Sequence, residues 1–217
     1  VTARLLEKEG FAALVLRLRA EGVSDIDLLT AVEQTPRSLF VPAQFVEQAY
    51  SSRTIPIECG SFLEGVDLAV RILHHLKIKP GQRVLEVGTG SGFMSAVMAR
   101  LAERVLTIDR YKTLTTNAQR RMESLGLRNI IIRQADGSGG MQGDGTFDRI
   151  LVTAAFNSMP RFYTDQLVSG GSMIAPLMIS ETECRLVRLT KTGSRFEREE
   201  LFDVPYLPIV ARVASQL

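Results

Sequence analysis

At 217 residues the chain is long enough to bury one sizeable core and too short for two ordinary domains. Its 26 Lys and Arg against 24 Asp and Glu leave a net charge of +2, which provides no field that would make nucleic acid or a membrane the main partner. Cys59 and Cys184 stand far apart, outside any CxxC or Cys/His cluster, so the composition suggests neither a disulfide framework nor a metal site and fits a reducing cytoplasm.

No apolar run approaches the roughly 20 residues that cross a bilayer. The start, with Arg4, Glu7, Lys8 and Glu9, lacks the apolar core of a secretion signal. From residue 2 to about 76 the pattern is helical, with Leu14 and Leu18, then Ile26, Leu29 and Val32, at helix spacing. Ser24, three residues before Asp27, is the expected N-cap of the second helix. Pro36, Pro42, Pro56 and Cys59-Gly60-Ser61 punctuate this cap, and 50–65 reads as an irregular loop. A further helix over 66–76 carries Ala69, Ile72, Leu73 and Leu76 on one face until Lys79-Pro80-Gly81 ends it.

From Arg83 onward short β-rich runs alternate with helical segments, the pattern of βαβ units around a mainly parallel sheet. Strands are predicted over 84–87, 105–109, 130–133, 149–153 and 173–177, with helices over 91–102, 114–125 and 161–167. After Leu177 two strands, 185–189 and 199–204, follow one another around Lys191-Thr192-Gly193, which implies an antiparallel edge. The expected architecture is one α/β domain: a doubly wound, mainly parallel, seven-stranded Rossmann-like sheet. Its parts are a helical cap and substrate loop over 1–80, a cofactor-binding core over 81–180 and antiparallel strands over 181–217.

The most informative segment is Val84-Leu85-Glu86-Val87-Gly88-Thr89-Gly90-Ser91-Gly92, a strand entering a glycine-rich turn and then a helix. A dinucleotide site would read GxGxxG, with a pyrophosphate at the helix N-terminus. Here the pattern is GxGxG after an acidic residue. It suits a cofactor without phosphate that carries an amino-acid moiety and a ribose, as S-adenosylmethionine does, with an NAD-type cofactor as the competing assignment. Glu86 sets negative charge near an ammonium and a sulfonium, and Gly88 and Gly90 admit the sulfur-bearing chain past Thr89 and Gly92. Asp109, followed by Arg110, stands seventeen residues after Gly92 at the end of the second core strand, where a carboxylate can accept both ribose hydroxyls. Asp136 and Gly137 fall at the next strand end, offering a carboxylate to the adenine amine and room for the ring.

These residues resemble the protein-L-isoaspartate O-methyltransferases, which methylate the carboxylate of damaged aspartyl residues in proteins. The likeness covers nearly the whole chain. It includes Pro36-Arg37-Ser38-Leu39-Phe40-Val41-Pro42, Ile55-Pro56-Ile57, Glu86 through Gly92, Asp136-Gly137, Phe147-Asp148-Arg149-Ile150 leading to Val152-Thr153-Ala154-Ala155, and Gly170-Gly171. The resemblance implies that Glu86 and Gly88 contact the methionine part, Asp109 the ribose, and Asp136 with Gly137 the adenine. It also implies a protein or peptide substrate, with a small molecule as the alternative.

Three positions depart from the family pattern. The loop serine that resemblance places at the methyl-transfer centre is Glu64 here, Ser52 stands where an aspartate is common, and Phe156-Asn157 where alanine and proline are usual. All three are expected around the substrate. Glu64 and Thr153 are the candidate catalytic residues. A carboxylate acceptor would be repelled by an ionised Glu64, whereas a hydroxyl or amine could use it as a base. A different acceptor, or a cofactor-binding protein without catalysis, therefore stands beside the family activity. Glu64 turned to solvent, or paired with Arg53 or another base, is the structural alternative.

Overall fold

The computed structural model describes residues 2–141 and 143–214, with side chains from residue 5 onward; the 215–217 end of the predicted C-terminal segment lies outside the described residues. The cap consists of α1 (Thr2–Ala20) and α2 (Ile26–Glu33), followed by two 3-10 turns, Arg37–Phe40 and Ala43–Gln48. The N-cap of α2 is Asp25, not Ser24: its Oδ1 accepts from Leu28 N at 3.1 Å, so one of the helix's unpaired amides is satisfied. Asp25→Ala should cost about 1 kcal/mol of stability in chemical denaturation, whereas Ser24→Ala should change it by less than about 0.5 kcal/mol.

The loop expected to be irregular contains a small antiparallel ribbon, β1 (Ile55–Pro56) against β2 (Phe62–Leu63), joined by a 3-10 turn at Glu58–Gly60. Pairing over two residues leaves no alternation for a sequence pattern to reveal. Helix α3 (Val66–Leu76) follows, and Lys77, at φ +52°, closes it by donating its amide to Leu73 O.

The core alternates β3 (Arg83–Val87), α4 (Phe93–Leu101), β4 (Arg104–Asp109), α5 (Lys112–Ser124), β5 (Ile130–Gln134), β6 (Phe147–Val152), α6 (Arg161–Asp165) and β7 (Leu167–Met178). It ends on β8 (Cys184–Thr192) and β9 (Arg195–Val204). All seven strands join one sheet in the order β5-β4-β3-β6-β7-β8-β9, parallel from β5 to β7 and antiparallel at β8 and β9. Strand β7 is longer than expected. It takes Leu167 from the predicted helix because Leu167 pairs with Phe147, and an irregularity in register carries it through Gly170 to Met178.

Neighbouring residues of the central strands are buried in two different cores, which is why these strands read as continuous apolar runs. Val84, Val105, Leu151 and Ile174 pack under the helices of the cap and α4. Leu85, Leu106, Ile150 and Met173 pack on the opposite face with Tyr163 of α6. The chain runs outward from β3 to β5 and then returns to place β6 on the other side of β3. The connections leaving β3 and β6 therefore diverge, and a crevice opens at their carboxyl ends.

Candidate active site

That crevice is a cavity of about 230 Å³ walled by the turn after β3, the ends of β4 to β6, the β1–β2 ribbon and the segment Tyr206 to Val210. The turn fits only glycine at its first position. Gly88 has φ +103°, and a Cβ there would lie 2.1 Å from Thr153 Oγ1. Thr153, just past β6, donates to Val87 O at 3.2 Å and Gly88 O at 3.1 Å, so it ties two strand tips together while lining the cavity. Gly92 faces elsewhere: a Cβ on it would meet Met122 Cε of α5 at 2.8 Å, so it serves helix packing.

Asp109, at the end of β4, accepts Gly90 N at 2.9 Å on Oδ2 and Tyr111 N at 3.0 Å on Oδ1. Each carboxylate oxygen keeps a free lone pair, a match for two adjacent hydroxyls of a ligand. Burial lifts the Asp109 pKa above the usual range. Arg110 also lines the cavity, with its guanidinium 5.2 Å over the Tyr111 ring and a buried Nε that has no partner. Gly137 lines it too, and a Cβ there would come within 2.4 Å of Val87 Cγ1, so no side chain fits.

Besides Gly92, two more of the predicted cofactor residues stand back from the cavity wall. Asp136 lies off the lining and accepts Ser138 N at 2.8 Å and Arg212 N at 2.7 Å, so it anchors its own turn and the C-terminal segment. Glu86 lies fully buried beneath the turn. Its Oε2 accepts from Ser95 Oγ and, at 2.6 Å, from Thr107 Oγ1, while Oε1 has no partner. Because the one Thr107 proton goes to Glu86, the 2.7 Å contact between Thr89 and Thr107 is a bond that Thr89 donates. Burial pushes the Glu86 pKa up to about 8.

Of the three departures from the family pattern, only Glu64 reaches the cavity. Ser52 and Asn157 are exposed, and Phe156 is buried in an aromatic cluster with Phe162 and Tyr163. Glu64 neither turns to solvent nor meets Arg53: it is 5 % exposed, and its Oε2 accepts from Tyr206 Oη at 3.3 Å. Its carbonyl accepts from Arg37 Nη2 at 2.6 Å. Arg37 is itself 1 % exposed and lies 4.1 Å over the Phe93 ring; burial lowers its pKa to about 10, which leaves it charged at neutral pH.

Tyr206, Ser95 and Thr107 escaped the sequence reading. Tyr206 stands between Pro205 and Pro208, a rigid exit that hinted at a fixed aromatic, and its ring stacks on Phe62 at 6.2 Å. Ser95 and Thr107 interrupt apolar runs, which was a usable sign of a buried polar partner.

The family model for protein-L-isoaspartate(D-aspartate) O-methyltransferase matches residues 9–214. The protein-L-isoaspartate O-methyltransferase of Rhizobium meliloti (strain 1021) is 65% identical over 204 residues, covering 94% of this chain and 100% of that one. That of Parvibaculum lavamentivorans is 42% identical over 205 residues, covering 94% and 92%. A Plasmodium falciparum protein assigned to the same activity and solved with S-adenosyl-L-homocysteine superposes with a TM-score of 0.80 over 91% of this chain and 97% of that one. Its 22% identity makes that a likeness of fold. The agreement of sequence over almost the full length with the sheet and crevice above has one outcome: the chain belongs to the protein-L-isoaspartate(D-aspartate) O-methyltransferase family.

Proposed function

We propose that this protein is an S-adenosylmethionine-dependent methyltransferase whose acceptor is the carboxylate of isoaspartyl residues in proteins or peptides. The observation that carries the reading is the cavity at the β3–β6 switch point, bordered by Gly88 and by an Asp109 with free lone pairs, in a chain matched to the family over 9–214. Bound there, S-adenosylmethionine supplies a methyl group on a sulfonium.

Asp109 takes the ribose hydroxyls, and Arg110 and Gly137 border the adenine. The Gly88–Gly90 backbone lies along the amino-acid chain. Glu86 supports the turn from beneath as a buried acid that accepts from Ser95 and Thr107, and it adds negative potential only above about pH 8. Thr153 is a positioning residue, because its hydroxyl is spent on the carbonyls of Val87 and Gly88. An ionised carboxylate needs no base to accept a methyl group, so the protein's task is alignment and exclusion of water. Phe62, Met94 and Ile209 give the cavity apolar walls suited to that exclusion.

The single-domain organisation, with cap and ribbon over 1–80, core over 81–180 and strands from 181, belongs to the same proposal, as does a cytoplasmic setting for the free thiols Cys59 and Cys184. No helix among the described residues is long and apolar enough to cross a membrane.

Incubation with methyl-labelled cofactor and an isoaspartyl peptide should yield a base-labile methyl ester, while the matching aspartyl peptide stays unlabelled. Calorimetric binding of S-adenosylhomocysteine without any ester would reject the acceptor, and absence of binding would reject the cofactor.

A further inference from the structure

Among the titratable side chains on the cavity wall, Glu64 is a carboxyl to which the transfer above gives no role. Glu64 occupies the position where resemblance places a serine hydroxyl, and it is enclosed: Tyr206 bonds its Oε2, and Phe62 and Leu63 precede it on the wall. The charged and titratable groups around it are few. Arg37 approaches from the 3-10 turn, with Tyr50 behind it; Tyr206 comes from the C-terminal segment and Glu86 from β3, and Cys59, Asp109, Arg110 and Tyr111 stand on the same cavity.

Arg37 is the cation that acts on Glu64, and its side-chain hydrogen bond goes to the Glu64 carbonyl; its Nε and Nη1 have no partner. The Glu64 carboxyl thus lacks a direct ion pair, and an arriving carboxylate would face it in a dry wall. Two carboxylates at close range share a proton, because both cannot remain ionised.

We infer that Glu64 works as a neutral carboxylic acid that donates its proton as a hydrogen bond to the acceptor carboxylate, so that this residue selects an anionic acceptor where an ionised glutamate would repel it. The inference rests on the carboxylate reading under Proposed function. The proton stays on Glu64 throughout: the donor bond holds the acceptor oxygen that is not attacking, and no proton leaves the site. Burial raises the Glu64 pKa, which favours the required form. A group whose folded pKa is raised keeps its proton below that value, so acceptor binding is present at lower pH and fades as pH rises through it.

The test compares kcat and KM for an isoaspartyl peptide in wild type, Glu64→Gln and Glu64→Ala from about pH 6 to about pH 9. Wild-type KM should climb about tenfold across that range, whereas the Gln amide cannot titrate and should keep KM flat, so the ratio of wild-type to Glu64→Gln KM rises with pH. Glu64→Ala, lacking any donor, should raise KM about tenfold at the acid end.

Parallel profiles for wild type and Glu64→Gln would overturn the inference. So would a fall in Glu64→Gln kcat of about a hundredfold at every pH, the mark of a general base. Binding of S-adenosylhomocysteine by each variant reports an intact cavity. Should Glu64→Gln fail to fold, calorimetry on wild type still decides: peptide binding to the S-adenosylhomocysteine complex, followed as pH rises from about 6 to about 9, should begin to take up a proton, and its absence across that range overturns the inference. Ester formation with parallel profiles sinks the inference alone, whereas a peptide that is neither methylated nor bound sinks the carboxylate reading with it.

Discussion

Replacing Gly88 with alanine should cost about 2–4 kcal/mol of stability and lower S-adenosylhomocysteine affinity at least about tenfold. The cost has two sources. At φ +103° any L side chain is strained, and the added Cβ would sit 2.1 Å from Thr153 Oγ1. To relieve the contact Thr153 must turn, which breaks its bonds to the carbonyls of Val87 and Gly88 and loosens the junction between β3 and β6. For a chain of 217 residues this should appear as a drop in Tm of roughly 5–15 °C. Combining Gly88→Ala with Thr153→Ala should recover part of the loss, because the atom that clashes is gone. A strictly additive double mutant would mean that the two residues do not meet as described.

The other large effect is a stability that depends on pH in an unusual direction. Glu86 titrates near 4.5 when unfolded and at about 8 when buried in the folded protein. Between these values the native state holds a proton that the unfolded chain has lost, so stability falls as pH rises from 4.5 to 8 and levels off above. The full contribution is on the order of 5 kcal/mol. Glu86→Gln cannot ionise and should remove this slope, melting higher than wild type at alkaline pH and close to it near pH 5. Above about pH 8 the same variant should prefer S-adenosylmethionine over S-adenosylhomocysteine less than wild type does, because only the former carries the sulfonium charge that an ionised Glu86 attracts. Denaturation curves for both proteins with the same pH slope would refute the buried-acid account.

Much of the fold could be read from residue order because its signals are local. All seven strands of the main sheet lie where β-rich runs break the helical pattern, and the antiparallel edge follows from Arg185 onward having no helix to cross over with. The cap of α2 was misplaced by one residue because Ser24 and Asp25 are both good capping types, and only the backbone shows whose oxygen reaches Leu28 N. Gly170 and Gly171 fall ahead of the strand predicted over 173–177, yet β7 runs through them, since strand length is fixed by the pairing partner.

By itself, then, the sequence determined the parallel core, the glycine turn, Asp109 at the end of β4 and the family, because each depends on residue type at fixed spacing. Tertiary structure alone decided which of those residues face the cavity. It turned Asp136 toward Ser138 and Arg212, sank Glu86 beneath the turn, and brought Tyr206 onto Glu64 from 142 residues away. The physical reason is that side-chain orientation and long-range pairing arise from packing between distant segments, and a local pattern carries no record of which partner will arrive to satisfy a buried polar group.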